Sequence, residues 1–161
     1  MFPELSVLEN VKIALQRKLG VDYRFWQSVS AMRKLDAPAM ALLEQVGLPR
    51  FAASPARDLP YGRKRTLEIA TTLALDPELL LLDEPTQGMG HEDVDRIKDL
   101  IKKVSADRTV LMVEHNMKVV ADISDTITVL QRGEVLAEGP YPVVSVDAAV
   151  REAYMGTEEH E

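Results

Sequence analysis

The sequence predicts an α/β fold with a mainly parallel sheet, flanking helices and an all-α part ahead of it. Three observations carry that reading. Residues 1 to about 58 show helix-like patterns without β-branched runs, and from about residue 78 short aliphatic runs alternate with amphipathic stretches. The aliphatic runs also have the length of strands covered on both faces. With 161 residues, 46% hydrophobic and 28% charged, the chain can bury one ordinary core. No apolar run approaches the about 20 residues needed to cross a bilayer, and Met1-Phe2-Pro3-Glu4 is not the basic start of an export signal. A net charge of −7, with no stripe of Lys and Arg among aromatics, argues against a nucleic-acid partner. The absence of cysteine excludes disulfides, zinc ribbons and thiol catalysis and leaves a cytosolic setting as the default.

Ser6-Val7-Leu8-Glu9 has the pattern of a capping box, and Leu8, Val11, Ile13, Ala14 and Leu15 follow at helical spacing, so a helix is predicted over about 7–18. Tyr23, Phe25 and Trp26 predict a second short helix anchored by aromatic packing. Asp36 is expected to cap a third helix, with Pro38 in its first turn, Met40, Leu42, Leu43 and Val46 on its apolar side and Gly47 as its stop. Residues 51–59 read as a connector. A helix from Tyr61 to about Leu75 buries Leu67, Ile69, Ala70, Leu73 and Ala74, and Asp76-Pro77 ends it. Leu79 to Leu82 form a strand bounded by Pro77 and by Asp83-Glu84-Pro85. The helix over about 92–104 carries Glu92, Asp93 and Asp95 at its start and Lys102-Lys103 near its end, which suits the helix dipole at both ends. Thr109 to Val113 is the next strand, 116–121 a short helix and 126–130 a third strand, with right-handed parallel crossovers expected. Gln131-Arg132-Gly133-Glu134 predicts a hairpin into Val135-Leu136-Ala137, and an amphipathic helix over about 146–155 precedes an acidic tail.

Chemistry in an open parallel sheet gathers at the carboxyl ends of its strands. Asp83 and Glu84 follow the leucine run, and strand alternation would send them to different sides. One carboxylate there can hold Mg²⁺ through its water shell while the other polarises a water for attack on a phosphoryl group. Glu114-His115 follows the second strand; if the two strands are neighbours, His115 faces the same crevice and can donate to a terminal phosphate. His91 and His160 have no such company and read as solvent-exposed. Leu59-Pro60-Tyr61-Gly62-Arg63-Lys64-Arg65 opens a helix with free amides, a glycine and three basic residues, a phosphate platform by composition.

These features in this order resemble the carboxyl-terminal two-thirds of an ATP-binding-cassette (ABC) ATPase, a P-loop NTPase fold, over Leu5 to Gly156. Leu59, Pro60, Tyr61, Gly62 and Arg63 resemble the signature loop, Leu79 to Asp83 the Walker B strand, Glu84 the general base, Gln87 to Gly90 the D-loop and His115 the switch histidine. The resemblance implies ATP and Mg²⁺ as cofactors, with Glu84 and His115 catalytic and Asp83 at the metal. It places Leu59 to Arg63, Asp83, Gly88, Met89 and Gly90 against nucleotide. It further implies two cassettes sandwiching two ATP molecules, homo- or heterodimeric, docked on membrane permease subunits at the inner face of the cell membrane. Residues 1–58 would be the helical subdomain, and 59–161 the rest of the α/β core with a C-terminal hairpin. Tyr61-Gly62, Leu67-Glu68-Ile69-Ala70, Val135 to Gly139 and Tyr154-Met155-Gly156 are similar to ATPases of branched-chain amino acid importers.

The sequence departs from the family pattern at three places. Pro60 stands where the signature loop has serine, Gly90 stands where the D-loop has aspartate, and no G-x-x-x-x-G-K-[ST] occurs in the 161 residues. Without that loop the carboxylates would meet a polyanion with little compensation, so the chain alone is expected to bind Mg-ATP poorly and not to hydrolyse it. A chain without its phosphate-binding part is also expected to expose an apolar sheet face and to self-associate. The competing readings are a non-catalytic docking module and a soluble ABC ATPase outside transport.

Overall fold

The computed structural model describes residues 1–18 and 33–158, and the helix expected around Tyr23, Phe25 and Trp26 lies outside them, as does His160. The chain divides into two compact units, Met1–Val113 and Glu114–Glu161.

The first unit starts with α1 (Val7–Lys18). Its capping box forms as the sequence requires: the Ser6 amide and hydroxyl both donate to Glu9 Oε2, at 2.8 and 2.7 Å, and the Glu9 amide donates back to Ser6 Oγ at 3.2 Å. The Ser6 hydroxyl, then the Ser6 amide, hold the Glu9 carboxyl below its ordinary range. Asn10 is buried and ties down the segment before the helix, donating to the carbonyls of Phe2, Leu5 and Ser6 and accepting from the Phe2 amide at 2.7 Å. α2 spans Asp36–Gln45. Asp36 does not cap it; the residue sits inside the first turn and pairs with Lys12 of α1 instead, because Leu35 holds the cap position. Gly47, at φ +74°, ends the helix as expected.

Two short 3₁₀ turns, Pro49–Phe51 and Ala56–Asp58, lie in the connector. They lead to α3 (Tyr61–Leu73), β1 (Leu79–Asp83), α4 (His91–Ser105) and β2 (Thr109–Val113). α3 packs on α1 and α4, and α4 packs on β2. Ile97, Leu100, Ile101 and Val104 form the buried stripe of α4. β1 and β2 pair in parallel, with Leu81 opposite Leu111 and Asp83 opposite Val113.

The leucine strand is covered on one face rather than two. Leu80 is 2% exposed, whereas Leu79, Leu81, Leu111 and Val113 are 51, 66, 60 and 61% exposed on the opposite side. A run of identical apolar residues has no period, so sequence cannot tell one covered face from two.

The second unit contains α5 (Met117–Ile123), β3 (Ile127–Gln131), β4 (Glu134–Gly139), α6 (Tyr141–Val144) and α7 (Ala148–Glu158). Asn116 caps α5 by accepting from the amides of Lys118 and Val119. β3 pairs antiparallel with β4, the hairpin that the sequence predicts. Locality explains the pairing: Arg132 and Gly133, at φ +51° and +85°, close a two-residue turn that brings β4 directly onto β3. Val120, Ile127, Val144 and Val150 make this unit's core. The C-terminal helix starts at Ala148, two residues later than expected, because Asp147 accepts from the amides of Ala149 and Val150.

Two outcomes follow. Ser6→Ala is expected to destabilise α1 by about 1 kcal/mol near neutral pH. Because folding lowers the Glu9 pKa, the carboxylate's share is present above the ordinary carboxyl range and lost as pH falls through the lowered value. Chemical denaturation of both chains across acid pH checks this; a pH-independent difference contradicts it. The bare face of β1 and β2 predicts self-association, so Leu81→Lys with Leu111→Lys should lower the weight-average mass in sedimentation velocity. A monomer at every concentration would show that the face does not drive contact.

Candidate functional site

The site is built at the carboxyl end of β1 and the amino end of α3. Because α3 and β1 are joined by a short turn at Asp76-Pro77, the chain reverses, and the start of the helix comes level with the end of the strand. Arg65, in the second turn of α3, donates through Nη2 to the carbonyl of Asp83. Nη1 of the same guanidinium donates to Glu68 at 2.9 Å.

Asp83 is exposed and Glu84 is half-buried. Strand alternation is not what separates them: Glu84 has left the strand, at φ +44°, while its amide still donates to the Val113 carbonyl at 2.9 Å. A left-handed conformation is disfavoured by any β-carbon, and Pro85 after it disfavours it further. Pro85 and Thr86 are buried, and the Gln87 amide donates back to the Glu84 carbonyl, so the chain turns sharply into the loop before α4.

The Leu59–Arg63 loop touches that region twice. Gly88, at φ +71°, lies where an added β-carbon would be 3.8 Å from the Tyr61 ring. Gly62 is buried beneath Asp93 of α4, and an added β-carbon would be 2.5 Å from Asp93 Cγ. Leu59 is buried, Pro60 is exposed at the cap position of α3, and Tyr61 is 59% exposed. Met89 is half-buried and Gly90 exposed. Thus the structure brings together Leu59 to Arg63, Asp83, Glu84 and Gly88 to Gly90 within one unit. His115 belongs to the second unit, where it is exposed and its amide donates to Glu114 Oε2 at 3.0 Å.

Two of the three basic residues of the supposed platform have other tasks. The Arg63 guanidinium lies 5.7 Å from the centroid of the Phe51 ring and donates to the Gly47 carbonyl at 3.4 Å. Arg65 is engaged as described. The roles of Arg65 and Asp93 were hidden in the sequence, since each depends on a contact between elements. The one signal was the position of Arg65 one turn past the glycine that opens α3.

Among the described residues no three His, Asp or Glu side chains converge as metal ligands. A lone exposed aspartate at a strand end fits Mg²⁺ that keeps most of its waters, and does not fit an all-protein cage. No helix among the described residues is long and apolar enough to cross a membrane.

The sequence pattern of the family described as ABC transporter matches residues 1–87, more than half of the chain. The chain belongs to the ABC transporter ATP-binding family. A second family pattern, described as branched-chain amino acid ATP-binding cassette transporter, matches residues 134–160. Within the family, the chain is 36% identical to the high-affinity branched-chain amino acid transport ATP-binding protein BraF of Pseudomonas aeruginosa, over 97% of this chain and 64% of BraF. It thus spans just under two thirds of that relative. A solved ATP-binding cassette of an ABC transporter in its ADP conformation superposes with a TM-score of 0.77, at 24% identity, over 96% of this chain and 64% of that one. A dimeric cassette in a post-hydrolysis state, bound to ADP and Pi, superposes with a TM-score of 0.67 at 31% identity, over 87% of this chain and 58% of that one. The fold is therefore the α/β fold of ABC cassettes.

The packing of Gly62 makes a stability prediction. Gly62→Ala should cost about 1–3 kcal/mol through the clash with Asp93, in spite of the about 1 kcal/mol that alanine gains over glycine in a helix. In an Asp93→Ala background the contacts with Cγ and Oδ2 are gone and only the 2.9 Å approach to Cβ remains, so the same substitution should cost less. Urea unfolding of the four chains measures both costs; equal effects in the two backgrounds would show that Asp93 does not restrict this position.

Proposed function

We propose that this chain is the greater part of an ATP-hydrolysing subunit of an ABC importer for branched-chain amino acids or similar small solutes. The observation that carries the proposal is the Asp83-Glu84 pair at the end of β1, with Glu84 turned out of the strand and the Leu59–Arg63 and Gly88–Gly90 segments against the same end. The substrate class is supported by the likeness to BraF and by the family pattern over residues 134–160.

In this reading Glu84 is the general base that orients the attacking water. Asp83 holds the water shell of Mg²⁺, which would supply charge neutralisation at the phosphates when bound. His115 contacts the γ-phosphate. Leu59 to Arg63 meet nucleotide held by a second ATPase subunit, with Gly88, Met89 and Gly90 at the same junction. Since Pro60 has no hydroxyl, the loop binds phosphate through backbone amides and the α3 dipole. The dimeric likeness with ADP and Pi supports both the nucleotide and the second subunit. The helical part, 1–58, couples these events to permease subunits, which hold the ATPase at the inner face of the membrane.

A second reading, a docking module without turnover of its own, has one observation in its favour: the 161 residues contain no G-x-x-x-x-G-K-[ST]. Its absence also leads us to propose that the 161-residue chain binds Mg-ATP weakly by itself and does not hydrolyse it.

Glu84→Gln in the full-length subunit is expected to reduce ATP hydrolysis by about 10³-fold or more while ATP binding persists. Phosphate release and nucleotide-binding assays on the two proteins check it. Undiminished hydrolysis would remove Glu84 from that role, and absence of hydrolysis in the unmodified full-length protein would favour the docking module.

A further inference from the structure

The peptide unit between Asp83 and Glu84 is held at both ends of its dipole. Its carbonyl oxygen accepts from Arg65 Nη2, and its amide donates to the Val113 carbonyl at 2.9 Å. This is the unit that precedes the left-handed Glu84, at φ +44°. A residue held in a sparsely populated conformation persists only where its surroundings over-determine it. Here the surroundings are β2 on one side and α3 on the other.

Arg65 is itself held. Glu68, one turn along the same helix, accepts from Nη1 at 2.9 Å, and the Arg65 and Glu68 side chains are 33% and 46% exposed. A guanidinium fork can serve two acceptors in fixed directions at once, which an ammonium on a flexible stem does less well. The contact also reaches across two parts of the site. Arg65 lies two residues past Arg63, the last residue of the Leu59–Arg63 loop, while the carbonyl it binds adjoins Glu84.

We propose that Arg65 is a positioning residue for Glu84: it fixes the Asp83–Glu84 peptide and thereby ties the direction of the Glu84 carboxylate to the helix that carries the Leu59–Arg63 loop. The proposal rests on the reading of Glu84 as the general base. It assigns no contact between Arg65 and nucleotide, so the loss of Arg65 should slow turnover without weakening nucleotide binding. A shift of the base by about 1 Å is enough to cost about 100-fold in rate.

The test compares Arg65→Gln, Arg65→Lys, Glu84→Gln and the double variant Arg65→Gln with Glu84→Gln in the full-length subunit. Arg65→Gln is expected to lower kcat at least tenfold with KM changed less than about twofold, and Arg65→Lys to recover part of kcat. The double variant is expected to be no slower than Glu84→Gln alone, because Arg65 acts through Glu84. In the 161-residue chain, the carbonyl carbon of Asp83 and the amide of Glu84 should shift in NMR spectra of Arg65→Gln while distant signals stay in place. Hydrolysis surviving Glu84→Gln overturns the reading underneath. Hydrolysis lost in Glu84→Gln but unchanged in Arg65→Gln overturns the Arg65 inference alone, as do unmoved Asp83 and Glu84 signals. A change in KM equal to that in kcat, with no recovery in Arg65→Lys, assigns Arg65 to binding or folding and also overturns it.

Discussion

Two parallel strands cannot be joined by a tight turn, and this constraint organises the first unit. β1 and β2 pair over five residues in register, so the chain must leave the end of β1, cross the sheet and return to the start of β2. α4 is that crossover, and it packs on β2. The sharp exit from β1 follows directly. Glu84 takes the left-handed conformation, Pro85 and Thr86 go into the interior, and the loop to Gly90 runs beside Tyr61 at the start of α3. The carboxylate pair, the glycine loop and the amino end of α3 are neighbours because of one strand pairing.

Most elements were legible because their signals are local. The capping box at Ser6, the stop at Gly47 and the turn at Arg132-Gly133 each depend on a few consecutive residues, and each formed. Signals that involve a partner far along the chain were misread. Asp36 looks like a cap until Lys12 of α1 is beside it. The four leucines look like a strand covered on both faces, yet the exposed apolar sheet face that the sequence also led to expect is present, with alternate residues from 2% to 66% exposed.

The candidate site shows the same division. Asp83, Glu84 and the Leu59–Arg63 loop were visible as residues, because carboxylates after an aliphatic run and a glycine at a helix start are positions where chemistry gathers. The use of the positive charges was not visible. Arg63 leans on Phe51 and Arg65 holds a main-chain carbonyl, so a count of basic residues overstates what the loop has left for an anion. In the proposed function, affinity for phosphate then comes chiefly from amides and the helix dipole, contributions fixed in direction and dependent on the shape of the loop. That dependence gives the close packing of Gly62 under Asp93 a meaning beyond stability: α4 sets the shape of the loop from behind.

Among the described residues, three other than glycine have a positive φ. Asp76, at φ +54°, lies in the turn that ends α3, and its carboxylate is paired with Lys18 at 2.9 Å. Arg132, at φ +51°, lies in the tight turn between β3 and β4. Helix ends and tight hairpins call for such conformations, and aspartate tolerates them well. Glu84 has neither excuse. It is a long side chain, it precedes proline, and extended backbone would let β1 run on beside β2. Its conformation starts the turn out of β1 that the Gln87 amide closes on the Glu84 carbonyl, and it is held in place from two sides. On the proposed reading of Glu84 as the general base, that backbone angle matters to the site as much as the charge does.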